Sequence, residues 1–154
     1  MTLSSMVALA LAATLALQSI SVQGHVVVQG LDPLLTIVVV PPGDPKHPVL
    51  LDGPLLTELR HVDGLDVSVT GTRHERFLTV QHFTVISANG VPATDGQLVA
   101  AGDTLVLVTA EGVRHPLVHP SPALRSNVGG RVWVSGPLDR EPVAYGMIDN
   151  NRPQ

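Results

Sequence analysis

The chain has 154 residues, a formal net charge of −4 and no cysteine, a length that suits one domain or two very small ones. The missing cysteines exclude disulfides, thiolate metal sites and a cysteine nucleophile, and with them the lipid-modified cysteine that tethers many exported bacterial proteins to a membrane. Charged residues are scattered singly, so the basic patch or stripe of a nucleic-acid binder is absent.

Residues 6–17, MVALALAATLAL, are apolar and uncharged, and the small polar run QSISVQG follows them. That is the shape of a secretory h-region with its cleavage region. It predicts a signal peptide over residues 1–24, cut after Ser21 or after Gly24, although the n-region has no Lys or Arg. A buried helix and a membrane anchor are the competing readings, but twelve apolar residues fall short of the ~20 that cross a bilayer. The expected product is secreted or periplasmic and soluble, with no membrane contact after signal removal.

Beyond the leader, 13 prolines and 14 glycines punctuate short runs of Val, Ile, Leu and Thr, which is strand punctuation rather than helix punctuation. Strands are expected at 25–29, 36–40, 48–51, 66–70 and 77–86, then at 97–100, 104–109, 114–118, 131–135 and 143–148. Between the third and fourth strands lies GPLLTELRHVDG, with Leu55, Leu56, Leu59 and Val62 at helical spacing. The second half has the shorter SPALRSNVGG at the same place.

The halves echo each other. TIVVV at 36–40 falls on TLVLV at 104–108, KHPV at 46–49 falls on RHPL at 114–117, and Pro54 and Leu56 fall on Pro122 and Leu124. After a three-residue deletion in the second copy, GLDVSVTG at 64–71 falls on GGRVWVSG at 129–136. Retained order and spacing indicate an internal duplication. Two copies are too few for a solenoid, so each must close a small core or share one. Five strands with a short helix between the third and fourth is the layout of an OB-type barrel, and closure removes exposed sheet edges. Gly64 and Gly129 suit a turn with positive φ, and Gly71 and Gly136 suit a bulge or sharp corner. The expected fold is all-β: two tandem five-stranded OB-like small barrels, residues 25–90 and 91–150, with a tail at 151–154.

The recurring pattern L-x-x-L-x-x-x-x-G-x-x-V-x-V-x-G, in PLLTELRHVDGLDVSVTG and more loosely in PALRSNVGGRVWVSG, resembles that of uncharacterised exported bacterial proteins with OB-like β-barrel repeats. The resemblance implies a fold and carries no activity. Many of those relatives have a lipoprotein cysteine that this chain lacks, which implies a soluble form.

Candidate chemistry is sparse. His115 and His119 are separated by three residues, a chelating spacing on a helix, but in an extended chain they stand ~13 Å apart. No metal or cofactor is expected. His47 and His115 fall on each other in the alignment, each between a cation and a proline, so both are placed on a pseudo-symmetric cleft or on a solvated hairpin surface. The loop TRHERF at 72–77 reads as a solvated charged turn or as an anion contact. No G-x-S-x-G elbow, phosphate loop or dinucleotide fingerprint is present. Asp63, Asp66, Asp139 and Glu141 lie in turns or at strand edges, which does not suit paired-carboxylate chemistry. Aromatics are few, so the stacking platform of an OB nucleic-acid binder is missing.

Trp133 stands where the first copy has Ser68. Val132 and Val134 flank it, so it points away from them: against the other half, out to a partner, or, in a flipped register, into the core. The resulting expectation is a non-enzymatic binding or interaction module for an unknown protein or small-molecule ligand. Recognition is expected at the seam between the barrels, lined by Trp133, Tyr145, His47 and His115. A hydrolase site assembled at that seam and a structural envelope component are the alternatives.

Overall fold

A computed structural model describes residues 18–149 of the chain. The apolar run read as a signal sequence lies outside the described residues, as does the tail at 151–154. Ten strands hydrogen-bond into one continuous sheet, antiparallel except for a single parallel ladder. Among the described residues no helix is long and apolar enough to cross a membrane.

The first half contains β1 (Ser19–Gln29), β2 (Thr36–Val40), β3 (Val49–Asp52), α1 (Leu56–Leu59), β4 (Asp66–His74) and β5 (Phe77–Ala88). The uninterrupted β-branched run of β2 and the alternating valines of β4 explain their strand state, because β-branched side chains pack well on a pleated surface. Their ladders run β1–β2, β2–β3, β3–β5, β5–β4 and β4–β1, returning to the strand they started from. The helical spacing read at residues 55–62 is realised as α1 plus a 3-10 turn at Arg60–Val62. Leu59 and Val62 are fully buried beneath the sheet, and Leu55 and Leu56 pack against the same cluster.

A turn at Asn89 and Gly90, both at positive φ, joins β5 to β6 (Val91–Ala101). There follow β7 (Thr104–Val108), β8 (Arg114–Pro116), α2 (Pro122–Arg125), β9 (Arg131–Ser135) and β10 (Ala144–Asp149). The pairings are β8–β7, β7–β6, β6–β9 and β9–β10, the order seen in the first half, but among the described residues β8 and β10 do not pair. Prolines account for the gap. Pro116 lies in β8, and Pro137 and Pro142 lie in the run before β10. Proline has no N–H to give a ladder.

Strands β1 and β6 extend further toward the N-terminus than the expected 25–29 and 97–100. Ser19–His25 pair with β4 and His25–Gln29 with β2. In the same way Ala93–Gln97 pair with β9 and Gln97–Ala101 with β7. The changeover falls at Gly24 and Gly96, where a Cβ would collide with the carbonyl of Val40 and of Val108 respectively. Each glycine is therefore a corner within a strand rather than its end. Both cleavage points expected for a signal peptidase, after Ser21 and after Gly24, fall inside β1.

Register also corrects the alignment. Val38 faces Leu50 and Val106 faces Pro116, so the partner of His115 in the other half is Val49, and His47 has no place in a strand. Burial pairs Leu124 with Leu59 rather than with Leu56: both are fully buried, five residues before Gly64 and Gly129. Those two glycines do have positive φ. Gly64 donates to the Val26 carbonyl at 2.9 Å, and Gly129 donates to Leu98 at 2.8 Å. Two clusters form the core. One gathers Val26, Leu59, Val67, Leu78 and Phe83 with their neighbours; the other gathers Leu98, Leu107, Leu124, Val132 and Val134. Ile148 of β10 belongs to the first cluster and ties the halves together.

Candidate functional site

The seam between the halves is built around Arg131, at the start of β9. Its Nε donates to Asp95 Oδ2 at 3.0 Å, and Nη2 bonds the same oxygen and the Phe83 carbonyl. Nη1 donates to Glu58 at 3.1 Å. The guanidinium carbon lies 4.3 Å from the centroid of the Phe83 ring. Asp95 is only 8% exposed, and its other oxygen accepts from the Val85 amide. One cation thus neutralises a buried acid of the second half and joins it to α1 and β5 of the first, and charge-assisted bonds of this kind are the stronger ones. Beside it, His61 Nδ1 is 2.7 Å from the Ile148 carbonyl.

Two cavities occupy corresponding registers. One, of about 420 Å³, lies at the seam between Gly96, Gln97, Val108, Arg131 and Asp149, with His82 of β5 on its rim. The other, of about 400 Å³, lies on the first half between Gly24, His25, Val40 and Asp66. The ladders make the match explicit: His25 pairs with both Val40 and Asp66, and Gln97 pairs with both Val108 and Arg131. β5 and β10 carry an irregularity at the same place, skipping Ile86 and Ile148.

In the seam cavity Asp95, Arg131, Gln97 and Thr109 are bonded within the chain, while the side chains of His82 and Asp149 have no partner among the described residues. Arg131 is spent as described, Gln97 donates to the Gly129 carbonyl at 3.2 Å, and the Thr109 hydroxyl accepts from the Val113 amide. The first-half cavity differs. His25 Nδ1 lies 3.1 Å from Asp66 Oδ1, and the Ser87 hydroxyl donates to Asp66 Oδ2 at 2.6 Å. That hydroxyl chiefly, together with His25, holds the Asp66 carboxyl below its usual pKa, against the opposing effect of partial burial. His25 Nε2 has no partner among the described residues. Pro41, Pro42, Pro45 and Ile86 complete the wall.

Ser87, Asp66 and His25 are the residue types of a hydrolytic triad in a different order. The carboxylate stands between the other two, so the serine gives its proton to Asp66 and has no imidazole to take it. A triad needs the imidazole in the middle. Among the described residues no group of three His, Asp or Glu side chains is placed to hold a metal.

The four residues expected to line a site are not brought together. His47 lies in the exposed β2–β3 loop, 2.7 Å from Asp44. His115 faces Leu107 in β8. Trp133 packs against the first core cluster, over Gly146, where a Cβ would come within 2.5 Å of the indole nitrogen. Tyr145 faces Val134 and is 38% exposed, because no strand covers that side of β10. None of the four lines either cavity. The three polar residues that meet in the first-half cavity, His25, Asp66 and Ser87, come from β1, β4 and β5, and their only signal in the sequence was polarity next to a strand end.

Comparison with protein-family models, with curated proteins and with solved structures finds no match.

Proposed function

We propose that the protein is a soluble, exported binding module made of two copies of one OB-type unit, and that the open cavity of the first copy is its binding site. The pairing order of the first half, with its single parallel ladder and short helix after the third strand, supports the OB-type reading. Matching registers, matching strand corners and a shared irregularity support the duplication. The second copy has the same order without the closing ladder.

One observation carries the functional reading: of the two matching cavities, the first-half one gathers an imidazole, a carboxylate and a hydroxyl into one hydrogen-bonded set beside apolar walls, with the second imidazole nitrogen unpartnered among the described residues. A concave, largely apolar site with a few convergent polar groups is the usual form of a ligand pocket. The inverted order of Ser87, Asp66 and His25 favours binding over serine hydrolysis.

The test is a ligand-observed NMR screen of small apolar and polar fragments against the full chain. Fragments that bind are expected to lose affinity in His25→Ala and to keep it in His82→Ala, on the rim of the seam cavity. A screen in which no fragment responds to the His25 substitution would refute the assignment.

A further inference from the structure

The hydrogen bonds of the open cavity fix what its floor offers. The Asp66 carboxylate already accepts the Ser87 proton on one oxygen and stays ionised well below neutral pH. It can only accept from His25, so Nδ1 of the neutral ring carries the proton. The second nitrogen's role follows from the first: Nε2 is an acceptor, with nothing bonded to it among the described residues.

The walls narrow the choice further. Among the described residues no Lys or Arg lines the cavity, so an anion would meet no counter-charge, and each Asp66 oxygen already has a partner in His25 or Ser87. Three proline rings and Ile86 give flat, apolar surface. A cavity of about 400 Å³ is near the lower end of the ~300–1,000 Å³ typical of small-molecule sites, which suits a ring system better than a long chain.

We infer that the ligand of this cavity is a planar apolar ring bearing one hydrogen-bond donor, an indole or a phenol, whose N–H or O–H is donated to His25 Nε2 while the ring lies against Pro41, Pro42 and Ile86. A free aromatic metabolite and the Trp or Tyr side chain of a peptide share this chemistry. The inference rests on the binding-site reading above, and adds the class of ligand.

Donor-blocked isosteres test it. Indole and 1-methylindole, and phenol and anisole, are titrated into the full-length protein at about pH 8, above the usual histidine pKa of ~6.5, with binding followed by amide shifts. The donor-bearing member of each pair is expected to bind about fivefold more tightly, the worth of roughly one neutral hydrogen bond. In His25→Phe the difference within each pair is expected to vanish. Equal binding of both members to the wild type, with shifts at His25 and Ile86, would overturn the donor assignment and leave the cavity standing. Absence of shifts there with every probe would overturn the binding site itself. The wild-type comparison stands even if the His25 variant does not fold. N-acetyl-tryptophanamide and a Trp-containing tripeptide, run alongside indole, separate the sources: tighter binding of the tripeptide assigns a peptide ligand, and binding of indole alone assigns a free ring.

Discussion

Arg131 and Asp66 stand at matching places in the two halves and do opposite work. Arg131 reaches out of its own half to Glu58 and the Phe83 carbonyl, while compensating the buried Asp95. Removing one partner of such a pair leaves a buried charge without a counter-charge. Arg131→Ala is therefore expected to cost about 3 kcal/mol, read as a lower urea midpoint. Adding Asp95→Asn, which keeps the acceptor for Val85 and removes the charge, is expected to recover part of that loss. Equal midpoints for the single and double variants would show that the charge is not what holds the seam. Asp66 faces solvent on one side, and its contribution depends on pH. Its folded-state pKa is depressed, so the stability it adds is present above the unfolded aspartate value of ~3.9 and is lost as pH falls through the folded one. Asp66→Asn is expected to lower the urea midpoint at neutral pH, with the difference closing by about pH 2. A difference that does not change with pH would mean that the side chain acts only through its shape. Neither role was legible in the sequence. His25 and Asp66 are separated by 41 positions, and Asp66 and Ser87 by 21; only strand pairing reveals that they meet.

At the scale of elements, the pattern of apolar residues was a reliable guide where strands alternate cleanly. β9 spans the residues that alternation picks out, 131–135, and β2 spans an uninterrupted β-branched run at 36–40. The pattern fell short at β1 and β6, whose expected starts at 25 and 97 each follow a glycine that lies inside the strand. Such a glycine permits close backbone approach, and sequence alone does not distinguish a corner from an end. The consequence for β1 is testable. Ile20 and Val22 pack against the first core cluster, and Ser19–Gly24 pair with β4. A chain starting at His25 is expected to be less stable than one starting at Gln18 by about 2–3 kcal/mol from those two half-buried side chains alone, measured by thermal unfolding. Equal melting temperatures would mean that the β1–β4 ladder is dispensable. If the protein is processed, a product that keeps this ladder begins at or before Ser19.

For the molecule as a whole, the two halves differ on the face where they meet. In the second half, Ala93 and Trp133 pack against the first core cluster. At the matching registers the first half has Ser21 and Ser68, whose hydroxyls lie 3.4 Å apart on an exposed surface. Ile148 is wholly buried in the first core, whereas its counterpart Ile86 is 38% exposed beside the open cavity. The seam has thus buried Ile148 and left Ile86 exposed. The departure of Trp133 from Ser68 was visible in the sequence, which left packing between halves, a partner contact and a core position open; Trp133 packs against the first core cluster. Which cavity the seam would leave free was not visible, because that depends on where Arg131 and Ile148 land across the junction. The central claim is that the free cavity, and not the seam cavity, takes the ligand. The most direct measurement is a map of backbone amide shifts on saturating the full chain with indole. The account predicts shifts at Gly24, His25, Val40, Ile86 and Ser87. Shifts confined to Gly96, Gln97, Val108, Ala110 and Asp149 would contradict it.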